Sequence, residues 1–159
     1  MKRTLSDWAT FAEIAASIAV VATLLLVVAS MRENTNALQA NTYQELMRDM
    51  NVWRMSYREA GFPVSDERFA EFVNSETQDR LEHLRLSLTE LWGVYEAAFF
   101  ANERGVLGEH EWVRFERMIC VEWASAAEYK YWSDSFAGML PLTNVLTPAF
   151  SAYVEDLCQ

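Results

Sequence analysis

His83 and His110 are the only histidines in the 159-residue chain, and acids flank both: Glu82 precedes the first, and Glu109 and Glu111 surround the second. A histidine beside a carboxylate is raw material for a metal ligand set or for general acid–base work. The spacing supplies neither. Adjacent residues on a helix point apart, so Glu82 and His83, or Glu109, His110 and Glu111, do not converge on one ion or one proton. Neither HExxH nor the Glu-x-x-His pairs of di-iron bundles are present. With only five glycines there is no phosphate-cradling loop, and there is no GxSxG. Ligands assembled across separate helices are the one arrangement the spacing leaves open. The sequence is therefore read as non-enzymatic: no catalytic, cofactor-binding or metal residue is assigned, and no cofactor is implied.

Two further groups have chemical potential. Glu122 and Glu128 read most simply as a solvated helix face. Cys120 and Cys158 lie 38 residues apart, in no CxxC and in no zinc spacing. A single disulfide is open to them if the domain faces an oxidising space. Cys120 falls in an apolar helical run, so the expectation is a buried free thiol.

The element that must position everything else is Trp8 to Met31, WATFAEIAASIAVVATLLLVVASM. From Ile14 to Met31 there are 18 residues without a charge, the lower end of what crosses a bilayer as a helix. A cleaved signal peptide is the rival reading. Lys2 and Arg3 would form its basic region, Ile14 to Val28 its apolar region, and Val28-Ala29-Ser30 its cleavage site. Asp7, Trp8 and Glu13 make that basic region long and acidic, which favours an anchor. Ala12, Ala15, Ala19, Ala22, Thr23 and Ser30 are small and spaced to share a face, while Ile18, Val21, Leu25 and Val28 supply bulk elsewhere. Small faces let helices approach closely in lipid, so this face is a candidate membrane-helix interface; a generic Ala/Val/Leu anchor has the same composition. Glu13 is a candidate intramembrane polar group, although one turn inside an interfacial Trp8 it can also reach the headgroup layer.

The charge is uneven. The chain carries 13 Lys and Arg against 23 Asp and Glu, a net charge of -10, and the first 31 residues are balanced. The whole excess therefore belongs to the part after the anchor, whose one lysine is Lys130. Such a surface argues against nucleic acid and against lying flat on anionic lipid. Lys2 and Arg3 precede the anchor and Arg32 follows it, with Arg48 next. That count tilts mildly towards an inside amino terminus and leaves the side of the domain undetermined.

The fold class follows from periodicity: all-α, an N-terminal transmembrane helix continuing into a small helical bundle. The divisions are a transmembrane anchor with its short tail (1–31), a helical stalk and first bundle helix (32–60), and the remaining bundle (61–159). Arg32 to Ala60 has no Gly or Pro, and Leu38, Thr42, Leu46, Met50, Trp53 and Tyr57 step along one helical face. One helix from about Trp8 to Ala60 would be roughly 80 Å long; a break near Asn34-Thr35-Asn36 is the alternative. Gly61 and Pro63 end it. Ser65 caps a short helix over Asp66–Val73, and Ser75 with Gln78 has capping-box spacing for the next. There, Leu81, Leu84, Leu88, Leu91, Tyr95, Ala98 and Asn102 form a stripe that Leu86, Trp92 and Phe99 broaden. After the turn Gly105-Val106-Leu107-Gly108, a helix over Glu109–Trp132 carries Trp112, Phe115, Ile119, Trp123, Ala126 and Lys130 on one face. A last helix, Pro148–Leu157, turns Phe150, Val154 and Leu157 inward, with Thr147 as its cap.

Aromatic residues are in excess. Trp53, Trp92, Trp112, Trp123 and Trp132 all follow the anchor. Tyr129-Lys130-Tyr131-Trp132 is too dense for every ring to point inward, which makes Tyr129, Tyr131 and Trp132 a candidate contact patch; a core built from large side chains is the plainer reading.

Short motifs along most of the chain carry a resemblance. They are Trp8 and Ala12-Glu13-Ile14, then Arg32-Glu33-Asn34-Thr35-Asn36-Ala37-Leu38-Gln39-Ala40 and Thr42-Tyr43-Gln44, then Gly105-x-Leu107 with Trp112, and finally Trp132 and Pro148-x-Phe150-x-x-Tyr153-Val154. Together they resemble a widespread bacterial family of uncharacterised single-pass membrane proteins with an N-terminal anchor and a C-terminal helical domain. The resemblance implies a bacterial inner-membrane location. Relatives usually have basic residues where this chain has Glu33, Asn36 and Gln39; that pattern would imply a cytoplasmic domain and is lost here. No activity comes with the resemblance. The expected function is contact: an accessory or scaffold subunit whose partners are the bilayer and another membrane protein or a second copy, with no nucleic acid. The alternative is a membrane-tethered sensor or ligand-binding module; a membrane enzyme has the least support.

Overall fold

A computed structural model describes residues 5–63, 66–128 and 146–158, and within them every regular element is a helix. α1 spans Leu5–Glu59, α2 Asp66–Ser75, α3 Gln78–Glu103, α4 Glu109–Glu128 and α5 Pro148–Leu157. The chain divides into two compact units, residues 1–38 and 39–159, with the division falling inside α1.

In the first unit α1 is unbroken through Asn34-Thr35-Asn36. Three of its hydroxyls bond to the preceding turn: Ser17 donates to the Glu13 carbonyl at 2.9 Å, Thr23 to Ala19 at 2.8 Å and Thr35 to Met31 at 3.0 Å. Bonds to the preceding turn leave a hydroxyl with no need of water.

The second unit begins with the rest of α1. Leu46, Met50 and Tyr57 are buried there and Trp53 is half-buried, as the three-and-four spacing predicts. Leu38, assigned to the same face, is exposed and belongs to the first unit. α1 ends as Gly61 predicts. Gly61 adopts φ +71°, its N–H donates to the Arg58 carbonyl at 3.0 Å, and the Phe62 N–H donates to Tyr57 at 3.3 Å. That pair of bonds is a Schellman cap, and the apolar contact that accompanies it is Phe62 on Tyr57, with ring centroids 5.2 Å apart. α3 closes the same way at Gly105, φ +70°, where Gly105 and Val106 donate to Asn102 and Ala101.

The start of α3 differs from its expected capping box. Ser75 is the last residue of α2, and its hydroxyl lies against the Phe72 carbonyl. Glu76 N–H also bonds Phe72, at 3.0 Å, so the backbone carries α2 further than the Asn74-Ser75 punctuation suggests. Thr77, in extended conformation, precedes α3.

The main core gathers Leu46 and Met50 of α1, Leu91 to Ala101 of α3, Trp112, Phe115 and Ile119 of α4, and Phe150 and Val154 of α5. Phe115, Ile119, Phe150 and Val154 have no exposed surface; each contributes roughly 1.5–3 kcal/mol relative to exposure. Trp92 sits among Tyr95, Trp123 and Phe150, and Phe99 among Phe100, Trp112, Phe150 and Tyr153. Trp53, Trp92, Trp112 and Trp123 thus build or border the core. A smaller cluster joins Tyr57, Phe62, Phe69 and Leu84. Leu86, expected to widen the α3 stripe, is instead 47% exposed. Two residues beyond the buried Leu84, it lies about 200° around α3 from it and so on the opposite side.

Candidate functional site

The first candidate is the apolar stretch of α1. It is long and apolar enough to cross a membrane, and none of its side chains is buried. Phe11, Leu25 and Leu26 are 70%, 66% and 72% exposed. Ala12, Ala15, Ala19, Ala22, Thr23 and Ser30 are all exposed. At 3.6 residues per turn they fall within a sector about 100° wide, and Ile18, Val21, Leu25 and Val28 occupy the other side. Glu13 is exposed too and lies outside that small-residue sector. An isolated helix with this surface is not stable in water; lipid or other helices must cover it.

The second candidate is a polar junction in the bundle, and it corrects the reading of Glu122 as a solvated face. Trp112, Phe115 and Ile119 are the buried positions of α4, and the next step of three on that stripe is Glu122. Its carboxyl is partly buried, which pushes its pKa up, while Arg54 on α1 pulls it back down. The same carboxylate acts on two buried phenols from other helices. Burial first, and Glu122 second, push Tyr57 up to about 12 and raise Tyr95 as well. Tyr57 donates to the Pro63 carbonyl at 3.0 Å. Three helices thus bring a carboxylate, two phenols and a guanidinium near one another. The 112-115-119-122 spacing was visible beforehand; the neighbours Arg54, Tyr57 and Tyr95 were not.

The cysteines supply the other correction. Cys120 is not a free thiol: it is bonded to Cys158, with Cα atoms 5.2 Å apart, well inside the range a disulfide spans. Core packing of Phe150 and Val154 lays α5 against α4 and brings the last turn of one beside the middle of the other. Such a pairing over 38 residues has no signal in sequence spacing.

His83 and His110 are both exposed, and among the described residues no three His, Cys, Asp or Glu side chains gather as a metal site would require. Tyr129, Tyr131 and Trp132 lie outside the described residues, as does the end of the expected fourth helix. No family model, curated protein or solved structure matches the chain.

Proposed function

We propose that this chain is a non-enzymatic, membrane-anchored interaction protein: a single-pass accessory or scaffold subunit of a bacterial inner-membrane complex or homo-oligomer. The observation that carries the reading is the division of labour between the units. Residues 39–159 form a compact unit with their own core, whereas the membrane-length stretch of α1 has no buried side chain. A self-sufficient domain on an uncovered apolar helix is suited to being held at a membrane and touched by something else. The small-residue sector of the anchor gives a partner helix room to pack closely, and the acid-rich domain gives it a charged face to read.

The test is a mild-detergent pull-down of the tagged full-length chain, with mass spectrometry and native mass of the eluate. A stoichiometric larger membrane protein, or a defined homo-oligomer, is the expected result. A monomer that brings nothing down overturns the reading.

One observation favours a second reading, a membrane-tethered ligand-binding module. Glu122 is part-buried on the inward stripe of α4, within electrostatic reach of Arg54, Tyr57 and Tyr95, and convergent polar groups of this kind orient ligands. A small molecule retained through purification, and lost in Glu122→Gln, would favour it.

A further inference from the structure

We infer that the helical unit faces an oxidising compartment, so that the chain runs from a cytoplasmic amino terminus, outward through the membrane, to an extracytoplasmic domain. The inference rests on the reading of α1 as a membrane anchor. Its first support is the Cys120–Cys158 bond, which engages both cysteines of the chain. Forming it takes two protons and two electrons from the two thiols. A disulfide-bearing oxidoreductase accepts them and becomes a dithiol. Structural bonds of this kind form and persist outside the cytoplasm, while cytoplasmic thiols are kept reduced. The bond is structural in its placement. It ties α4 to the residue that caps the end of α5, whose Phe150 and Val154 have no exposed surface, and Cys158 itself packs on the main core.

The second support is independent of the cysteines. Cations near a membrane helix mark its cytoplasmic end, and acids contribute little. Lys2 and Arg3 precede the anchor, whereas Arg32 is the only cation from there to Met47. Beyond the anchor, Lys130 is the sole lysine and acids outnumber bases. The charge count and the disulfide assign the same side. A partner of the domain would therefore itself be extracytoplasmic, or expose an extracytoplasmic segment.

The experiment uses the full-length chain with an amino-terminal epitope tag in a host with a periplasm. Cells are quenched in acid, and the thiols are alkylated with a polyethylene-glycol maleimide with or without prior reduction. In parallel, membranes are washed with alkaline carbonate and spheroplasts are treated with protease. The expected result is a carbonate-resistant chain that keeps its tag. It takes no adduct before reduction and two adducts after it, and protease removes the domain while the tag is protected. Two adducts without reduction, together with a protease-resistant domain, overturn the inference and leave the anchor reading standing. Carbonate extraction, or loss of the tag by cleavage, overturns the anchor reading instead, whatever the state of the thiols.

Discussion

Glu122 is the residue whose environment departs most from its sequence context. Burial favours its neutral form, so the folded chain holds that proton more tightly than the unfolded chain does. A carboxyl with a raised folded pKa favours folding at low pH. That contribution is fully present below the ordinary carboxylate range and is lost as the pH rises through the raised value. Glu122→Gln keeps the shape and removes the ionisation. It is expected to raise Tm at pH 7 by a few degrees and to flatten the melting profile above pH 5; a variant melting below the parent at pH 7 would refute this. The phenols work at the other end of the scale. Tyr57 is held neutral from its usual 10.0 up to about 12, and Tyr153, half-buried and donating to Glu116, is raised too. Stability is therefore expected to fall from pH 10 upward as the unfolded phenols ionise first. Phenolate absorbance measured against circular dichroism checks it: the two should change together.

At the scale of elements, the junction of α1, α2 and α3 shows how a helix end is fixed. Gly61 holds the left-handed turn, and Arg80 lies against it. Its guanidinium donates to the Ala60 carbonyl at 3.0 Å, pairs with Glu76 at 3.3 Å and covers the rings of Phe62 and Phe72 at 5.8 and 5.3 Å. A methyl group at Gly61 would meet the Arg80 guanidinium at 3.9 Å, an ordinary contact. Gly61→Ala is thus expected to cost about 1–2 kcal/mol through backbone conformation alone. Gly61→Asn should cost less; equal stability of the three proteins in urea titrations would disprove the cap. Both glycine stops were legible because a left-handed residue has a chemical signature. The α2–α3 boundary was misplaced because Ser75 is as good a final helical residue, bonding back to its own helix, as it is a cap. The periodic stripes identified most of the buried residues of α1, α3, α4 and α5, and failed at Leu38 and Leu86, which are exposed.

For the molecule as a whole, two measurements probe its construction. The disulfide closes a span of 38 residues; in the chain-entropy account, opening a loop of that size costs about 4 kcal/mol. Reduction of the intact chain, or Cys120→Ser with Cys158→Ser, is expected to lower the urea midpoint accordingly. An unchanged midpoint would mean that core packing alone holds α5 in place. Since the compact unit begins at Gln39, a fragment starting there should fold in detergent-free buffer and melt cooperatively, with the second unit's core intact. Aggregation or non-cooperative melting of that fragment would show that the unit depends on the membrane segment.

By itself the sequence determined the helical class, the membrane-length apolar stretch, both glycine stops and most inward-facing side chains. Each of these is written in local chemistry: runs without charge, steps of three and four, a residue lacking Cβ. Only the tertiary structure decided that Cys120 meets Cys158, and that Glu122 is part-buried within electrostatic reach of Arg54, Tyr57 and Tyr95. Those facts depend on which helix lies beside which. That choice is made by the packing of Phe150, Val154, Phe115 and Ile119 into one core, a summed interaction over residues far apart in the chain that no local spacing encodes.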